Sequence, residues 1–360
     1  MIEYENLRAS NQEFFEDYRE SFLKTMESGW YILGKNVKTF EKKFADYVGR
    51  KHGVGVASGL DALVLALRAF DFEPDAEVIV PSNTYIATII AVVRAGLTPV
   101  LAEPDLATYN VDPKEIEANV TPKTRAIMVV HLYGKCCDMG PIMATAKKHN
   151  LRVIEDCAQS HGATYKGRQS GSFGDYGAFS FYPTKNLGAL GDAGAMLCDD
   201  DDLATTARRL RNYGSDVKYH NEIVGDNSRL DEVQAGFLLA KFARLEELTQ
   251  RKRALAKLYH DGLKDDFVKP VVDDDYRDVY HIYNVRHPKR DELREFLLKN
   301  EIKTEIHYPV APHKQKAMRD IIKGDYPISE EIHATTLSLP ISYGHTAADV
   351  ERVIETMNKF

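Results

Sequence analysis

The chain is poor in the features that would place it outside the cell or across a membrane. Only four of its 360 residues are cysteine. Cys136 and Cys137 are adjacent, Cys157 and Cys198 stand apart, and no CxxC pair occurs. That usage excludes a disulfide scaffold and predicts free thiols in a reducing compartment. Apolar runs such as Ile89–Val93 fall far short of the ~20 residues that span a bilayer. The first twenty residues are acidic and polar where a secretory leader needs an apolar stretch. The expectation is therefore a cytoplasmic protein with no membrane partner. Positive charge is not in excess either. Lys and Arg number 47 and Asp and Glu 54, for a net charge of -7. With no basic tract, nonspecific nucleic-acid binding is excluded, and any anionic ligand must be met by a few local cations. A Walker phosphate loop is absent. His131, Cys136, Cys137 and Asp138 lack the spacing of a ligand pair, so no metal is expected.

What is present is an ordinary globular composition, 44% apolar and 28% charged. The length suggests roughly two domains. Residues 12 to 27 and 38 to 48 have the apolar spacing of amphipathic helices. Then short apolar runs alternate with helical patterns. Gly53–Val56, Glu77–Val80, Thr98–Leu101, Ala126–Val130 and Leu151–Ile154 read as buried strands. Leu60–Phe70, Tyr85–Ala95, Pro113–Ala118 and Pro141–His149 read as the helices between them. This rhythm predicts an α/β fold with a mostly parallel sheet covered on both faces. Tyr176–Phe181 and Ala193–Cys198 read as further strands, and 201–213 and 229–263 as helices. A strand near Tyr280–Arg286 and helices over Arg290–Asn300 and Ala347–Asn358 follow. A boundary near residue 250 would divide a large domain, 1–250, from a smaller α+β domain, 251–360.

Open parallel sheets bind ligands at the carboxyl ends of their strands. Three features fall there. Ser58-Gly59-Leu60 turns from a strand into a helix, whose free N–H groups suit a phosphate. Its G-x-G-x-x-x-G spacing fails the dinucleotide fingerprint. Asp156 ends an apolar strand, where an acid needs a positive partner such as a protonated ring nitrogen. Lys185 lies between an apolar strand and a glycine-rich turn. Burial lowers a lysine's pKa and exposes a nucleophilic amine. Each feature alone has a plain structural reading: a turn, a salt bridge, a surface lysine. Together, in this chain order, they are the equipment for pyridoxal phosphate (PLP).

The sequence resembles the sugar aminotransferases of the DegT/DnrJ/EryC1/StrS family over nearly its whole length. The resemblance is carried by Ser28–Gly34, Ala57–Leu63, Asp156–Gly162, Ser180–Asn186, Asn227–Ala235 and His307–Pro309. It implies the type I PLP-dependent aminotransferase fold, with Lys185 binding the cofactor aldehyde covalently and then moving the substrate's proton. Asp156 would pair with the pyridinium nitrogen, Gln159 with the ring's 3-oxygen, and Tyr85 would stack on the ring. Gly59, Leu60 and Ser180 would hold the phosphate. Asn227 would reach it from the neighbouring subunit, making a homodimer with shared sites. Leu60 replaces a Thr that is frequent in the family, so one side-chain contact is lost, and Ala193 replaces a frequent Gly.

The turn Ser58–Leu63, the stretch Arg211–Tyr219 and Asn227–Asp231 look most like the branch acting on dTDP-linked 3-keto-6-deoxyhexoses. That branch implies C3 amination with glutamate as donor, within deoxyamino sugar and glycan biosynthesis. Tyr182, Lys218, His307 and Tyr308 match positions that would contact the nucleotide sugar, with Lys218 and Arg229 as anion partners. C4 amination of a 4-keto sugar shares every cofactor motif and stays open. A PLP-dependent sugar dehydratase on this scaffold is disfavoured by Lys185, since His stands there in such enzymes. A non-catalytic regulator is a third reading. Asp199–Asp202 reads as a solvated turn capping a helix, and His161 as a structural neighbour of the cofactor.

Overall fold

The computed structural model describes residues 1–360. Strands β1 (His52–Val56), β2 (Glu77–Pro81), β3 (Thr98–Ala102), β4 (Thr124–Val130) and β5 (Arg152–Asp156) form where the apolar runs lie. After a small hairpin, β6 (Thr164–Tyr165) and β7 (Arg168–Gln169), come β8 (Tyr176–Ser180) and β9 (Gly194–Cys198). Seven strands make one sheet in the order β1-β9-β8-β5-β4-β2-β3. Strand β9 runs antiparallel to both its neighbours, and every other pairing in the sheet is parallel. The reason lies in the connections. A parallel neighbour needs a crossover of a dozen or more residues, usually a helix. The turn-rich link from β8 to β9 holds no helix, and β9 returns beside β8 in the opposite direction.

Both faces of the sheet are covered, which is why its strands are apolar without alternation. Helices Gly59–Ala69, Ala87–Arg94 and Asp201–Leu210 pack on one face in a core of 28 buried residues. Helices Lys35–Val48 and Glu232–Phe242 cover part of the other. The two glycines within β1 are explained by the second face. A Cβ at Gly53 would overlap the Glu41 carbonyl, and one at Gly55 would lie 2.8 Å from the Leu230 side chain.

The reading of 229–263 as one helix is corrected. Glu232–Phe242 and Leu245–Gly262 are separate helices that break at Ala243-Arg244, where Arg244 leaves helical geometry. Residue 250 lies inside the second helix, which from Leu255 onward enters a separate core. That core joins β11 (Tyr283–Arg286) and β12 (Thr336–Leu339), an antiparallel pair, to helices Arg290–Lys299 and Ala347–Met357. Ile2 belongs to it too, through a bridge to Ile302. The remaining strand, β10 (Tyr276–Arg277), pairs with β6. No helix is long and apolar enough to cross a membrane.

Candidate active site

The carboxyl ends of β1, β2, β4, β5 and β8 open on one cavity of about 590 Å³. That volume lies within the range of small-molecule and cofactor sites. Asp156 and Lys185 both line it, together with Gly59, Leu60, Tyr85, Gln159, Ser180, Tyr182, His307 and Tyr308. Side chains far apart in sequence thus converge because most end, or closely follow, a strand of this sheet, while His307 and Tyr308 come in from the loop between Lys299 and Pro312.

Asp156 is the last residue of β5 and is buried. Its Oδ2 accepts from the Thr88 hydroxyl at 2.9 Å, and its Oδ1 from the Ala158 N–H at 3.1 Å. Burial raises its pKa, opposed by these two donors and by the charge of Lys185. A carboxylate so placed favours a cationic partner on its open side. Lys185 follows β8 in the Pro183–Lys185 turn. Desolvation lowers its pKa to about 8, with Asp156 pulling the other way. The neutral amine is therefore far more accessible near neutral pH than that of a solvated lysine. Its Nζ lies 3.5 Å from His281 Nε2. Desolvation, then the charges of Lys185 and Lys252, hold His281 neutral.

The Ser58-Gly59-Leu60 turn leads from β1 into a helix. Ser58 is extended and caps the helix Gly59–Ala69, its Oγ accepting from the Asp61 N–H at 3.1 Å. The first turn leaves the N–H groups of Gly59 and Leu60 without helical acceptors. The turn is pressed between neighbouring strands. A Cβ at Gly59 would lie 2.5 Å from Ser180 Cβ, and one at Gly194 would overlap the Ser58 carbonyl.

Gln159 Oε1 accepts from the Tyr133 N–H at 2.7 Å, and its Nε2 donates to the Tyr308 hydroxyl at 3.0 Å. Tyr85 is 54% exposed at the cavity mouth, its ring 5.3 Å from that of Tyr308. The Tyr133 hydroxyl donates to the His307 carbonyl, and His307 Nδ1 meets Ser338 Oγ at 2.9 Å.

Three expected residues stand outside this cavity. Asn227 and Arg229 line a neighbouring cleft with Ile32, Ala57, Asp192 and Gln234. Asp192 borders both spaces. Arg229 Nη1 donates to Asn212 Oδ1 at 3.0 Å. Lys218 lies on an exposed segment, its Nζ 4.9 Å from the Tyr219 ring centroid. His161 is buried among Phe44, Phe179 and Phe181, and desolvation lowers its pKa to about 3. Asp200 caps the helix Asp201–Leu210, accepting from Asp202 and Leu203 N–H. His131, Glu155 and Cys157 cluster behind the sheet. There His131 Nε2 meets Glu155 Oε2 at 2.9 Å, while backbone N–H groups of Gly171, Phe173 and Gly174 occupy the carboxylate.

Sequence reasoning missed Thr88 and His281. Thr88 had a signal: it is a lone hydroxyl in the apolar helix Ala87–Arg94, and a buried hydroxyl needs a partner. His281 had none, since it precedes β11 and reaches the site only through the packing of the second core.

The residues fit PLP: an amine whose charge burial disfavours, a carboxylate with one open side, and a compressed helix-start turn share one cavity. A sequence profile of the DegT/DnrJ/EryC1/StrS aminotransferase family matches residues 13–358. A dTDP-3-amino-3,6-dideoxy-alpha-D-galactopyranose transaminase of Aneurinibacillus thermoaerophilus is 51% identical over 361 residues, covering 100% of this chain and 99% of that protein. A dTDP-3-amino-3,4,6-trideoxy-alpha-D-glucose transaminase of Streptomyces venezuelae is 42% identical, covering 100% and 96%. The crystal structure of S. venezuelae DesV in complex with a ketimine intermediate superposes with a TM-score of 0.97 at 42% identity, covering 99% of this chain and 98% of that one. The chain belongs to the DegT/DnrJ/EryC1/StrS aminotransferase family and is a PLP-dependent aminotransferase.

Proposed function

We propose that the chain moves an amino group from glutamate to C3 of a dTDP-linked 3-keto-6-deoxyhexose. The observation that carries the chemistry is the shared cavity of Lys185 and Asp156. The activities of the two relatives, both dTDP-3-amino sugar transaminases, support the position of attack and the nucleotide.

When bound, PLP supplies an electron sink for the pair left when a C–H bond next to nitrogen breaks. The chain's residues do the rest. Asp156, steadied by Thr88 and Ala158, keeps a proton on the ring nitrogen. Gly59, Leu60 and Ser180 bind the phosphate, Gln159 meets the 3-oxygen, and Tyr85 covers the ring. Lys185 Nζ, when free and uncharged, would take the proton from the donor's α carbon and deliver it to the carbon that was the cofactor's aldehyde. Tyr182, His307 and Tyr308 border the space left for the sugar.

The working form is a homodimer with shared sites. Asn227 and Arg229 face a cleft beside their own cavity, where a docked second chain would place its site, and Lys218 would serve the same anionic substrate. Trp30, 65% exposed, with Phe22, Leu23 and Met26 of helix Phe15–Ser28, leaves an apolar surface a partner would cover. Two units, meeting in the helix Leu245–Gly262, enclose the cavity between them. The four cysteines are all buried and unpaired, in keeping with work in the cytoplasm.

The test is a panel of dTDP- and UDP-linked 3-keto and 4-keto sugars assayed for glutamate-dependent amination. Preference for the dTDP-3-keto compound is expected. Preference for a 4-keto compound overturns the C3 assignment, and water loss without amine gain overturns transfer.

A further inference from the structure

Two lysines are buried without a carboxylate partner, Lys241 and Lys252. An ammonium taken from water with only neutral acceptors is costly, so its persistence requires a reason. Lys252, on helix Leu245–Gly262, is 4% exposed. Its Nζ donates to the His281 carbonyl at 3.0 Å and to Asn186 Oδ1 at 3.2 Å. Those acceptors belong to the two residues that decide where the Lys185 amine sits. Asn186 is its chain neighbour, and the His281 imidazole is the group its Nζ meets. The rest of Asn186 is also fixed, its Nδ2 donating to the Val279 carbonyl and its own carbonyl accepting from the Tyr343 hydroxyl.

We propose that Lys252 is a positioning residue for the transamination, locking Asn186 and His281 together so that the Lys185 amine is held at its working place. The proposal rests on Lys185 being the reacting amine. Lys252 never enters the cavity and touches no reacting atom. Its effect is geometric, and a misplacement of about 1 Å can cost up to roughly a hundredfold in rate.

Three proteins decide it: wild type, Lys252→Met and Lys252→Arg. Two readouts are needed, namely the rate at which the apoprotein captures PLP, followed by visible absorbance, and steady-state kinetics with glutamate. Lys252→Met keeps the volume and removes the donor. It is expected to lose roughly tenfold or more in both capture rate and kcat, while KM for glutamate changes by less than about threefold. Lys252→Arg, which can still donate to both acceptors, is expected to recover at least about a third of both rates. A role in packing alone predicts the reverse, with Met tolerated better than Arg. Lys252→Met within about twofold of wild type, or a loss confined to KM, overturns the proposal. If Lys252→Met does not fold, Asn186→Ala removes one acceptor and leaves the cation. It should then lose roughly threefold or more in capture rate, and an unchanged rate overturns the proposal. A wild type that captures no PLP overturns the reading of the site and this inference with it. A competent wild type beside an unaffected Lys252→Met overturns this inference alone.

Discussion

Lys185 is surrounded by groups that disfavour its charge and by one that favours it. Burial lowers its pKa to about 8, from an ordinary 10.5, and Asp156 offsets part of that. The sign of the pH effect follows. Only the neutral amine attacks an aldehyde, so capture of PLP by the apoprotein should quicken as pH rises through about 8 and level off above it. A stopped-flow series from pH 6 to 10 checks this, and a midpoint near 10.5 would show a solvated lysine. The same depression means that a charged Lys185 opposes folding below about pH 8 and stops doing so as pH rises toward 10.5. Apo Lys185→Met should therefore melt higher than apo wild type at pH 7, by an amount that shrinks at pH 9.5. The full effect corresponds to a few kcal/mol, on the order of 1.4 per pKa unit. The comparison is made between two proteins because the buried thiols, whose pKa values are raised, act on stability with the opposite sign in both.

At the scale of elements, the site depends on two backbones pressed together. Gly194 begins β9 against the Ser58 carbonyl, leaving no room for a methyl group. Gly194→Ala should displace the phosphate turn and raise the Kd for PLP by roughly tenfold or more, with a stability loss of about 1–3 kcal/mol. Equilibrium titration and thermal melting measure the two effects. Much of this architecture was legible in the sequence because strand ends were legible. Ser58-Gly59-Leu60, Asp156 and Lys185 each follow or end an apolar run, and an α/β rhythm puts such positions on one edge. What stayed hidden was set at longer range. An apolar run carries no direction, so the reversal of β9 was invisible. Apolar spacing continues through Ala243-Arg244 without Gly or Pro, so two helices read as one. The small pair β6 and β7 is too short to have a period. His281 and Lys252 reach the site only after the second core has packed.

For the whole molecule, the proposed dimer would bring the cleft holding Asn227 and Arg229 to a partner's site. Mixing inactive Lys185→Ala with inactive Asn227→Ala protein under exchange conditions should restore roughly a quarter of wild-type activity. Half of randomly paired dimers are mixed, and one of the two sites in each is intact. No recovery on mixing would mean that each chain supplies its own site. The assignment as a whole stands on one lysine among three that burial brings to about pH 8: Lys185, Lys241 and Lys252. Only Lys185 opens into the cavity with Asp156. Borohydride reduction of the PLP-loaded protein, followed by peptide mass mapping, distinguishes them. The account predicts a single pyridoxyl adduct on Lys185, lost when glutamate is added before the reductant. An adduct on Lys241, on Lys252 or spread over surface lysines would contradict it.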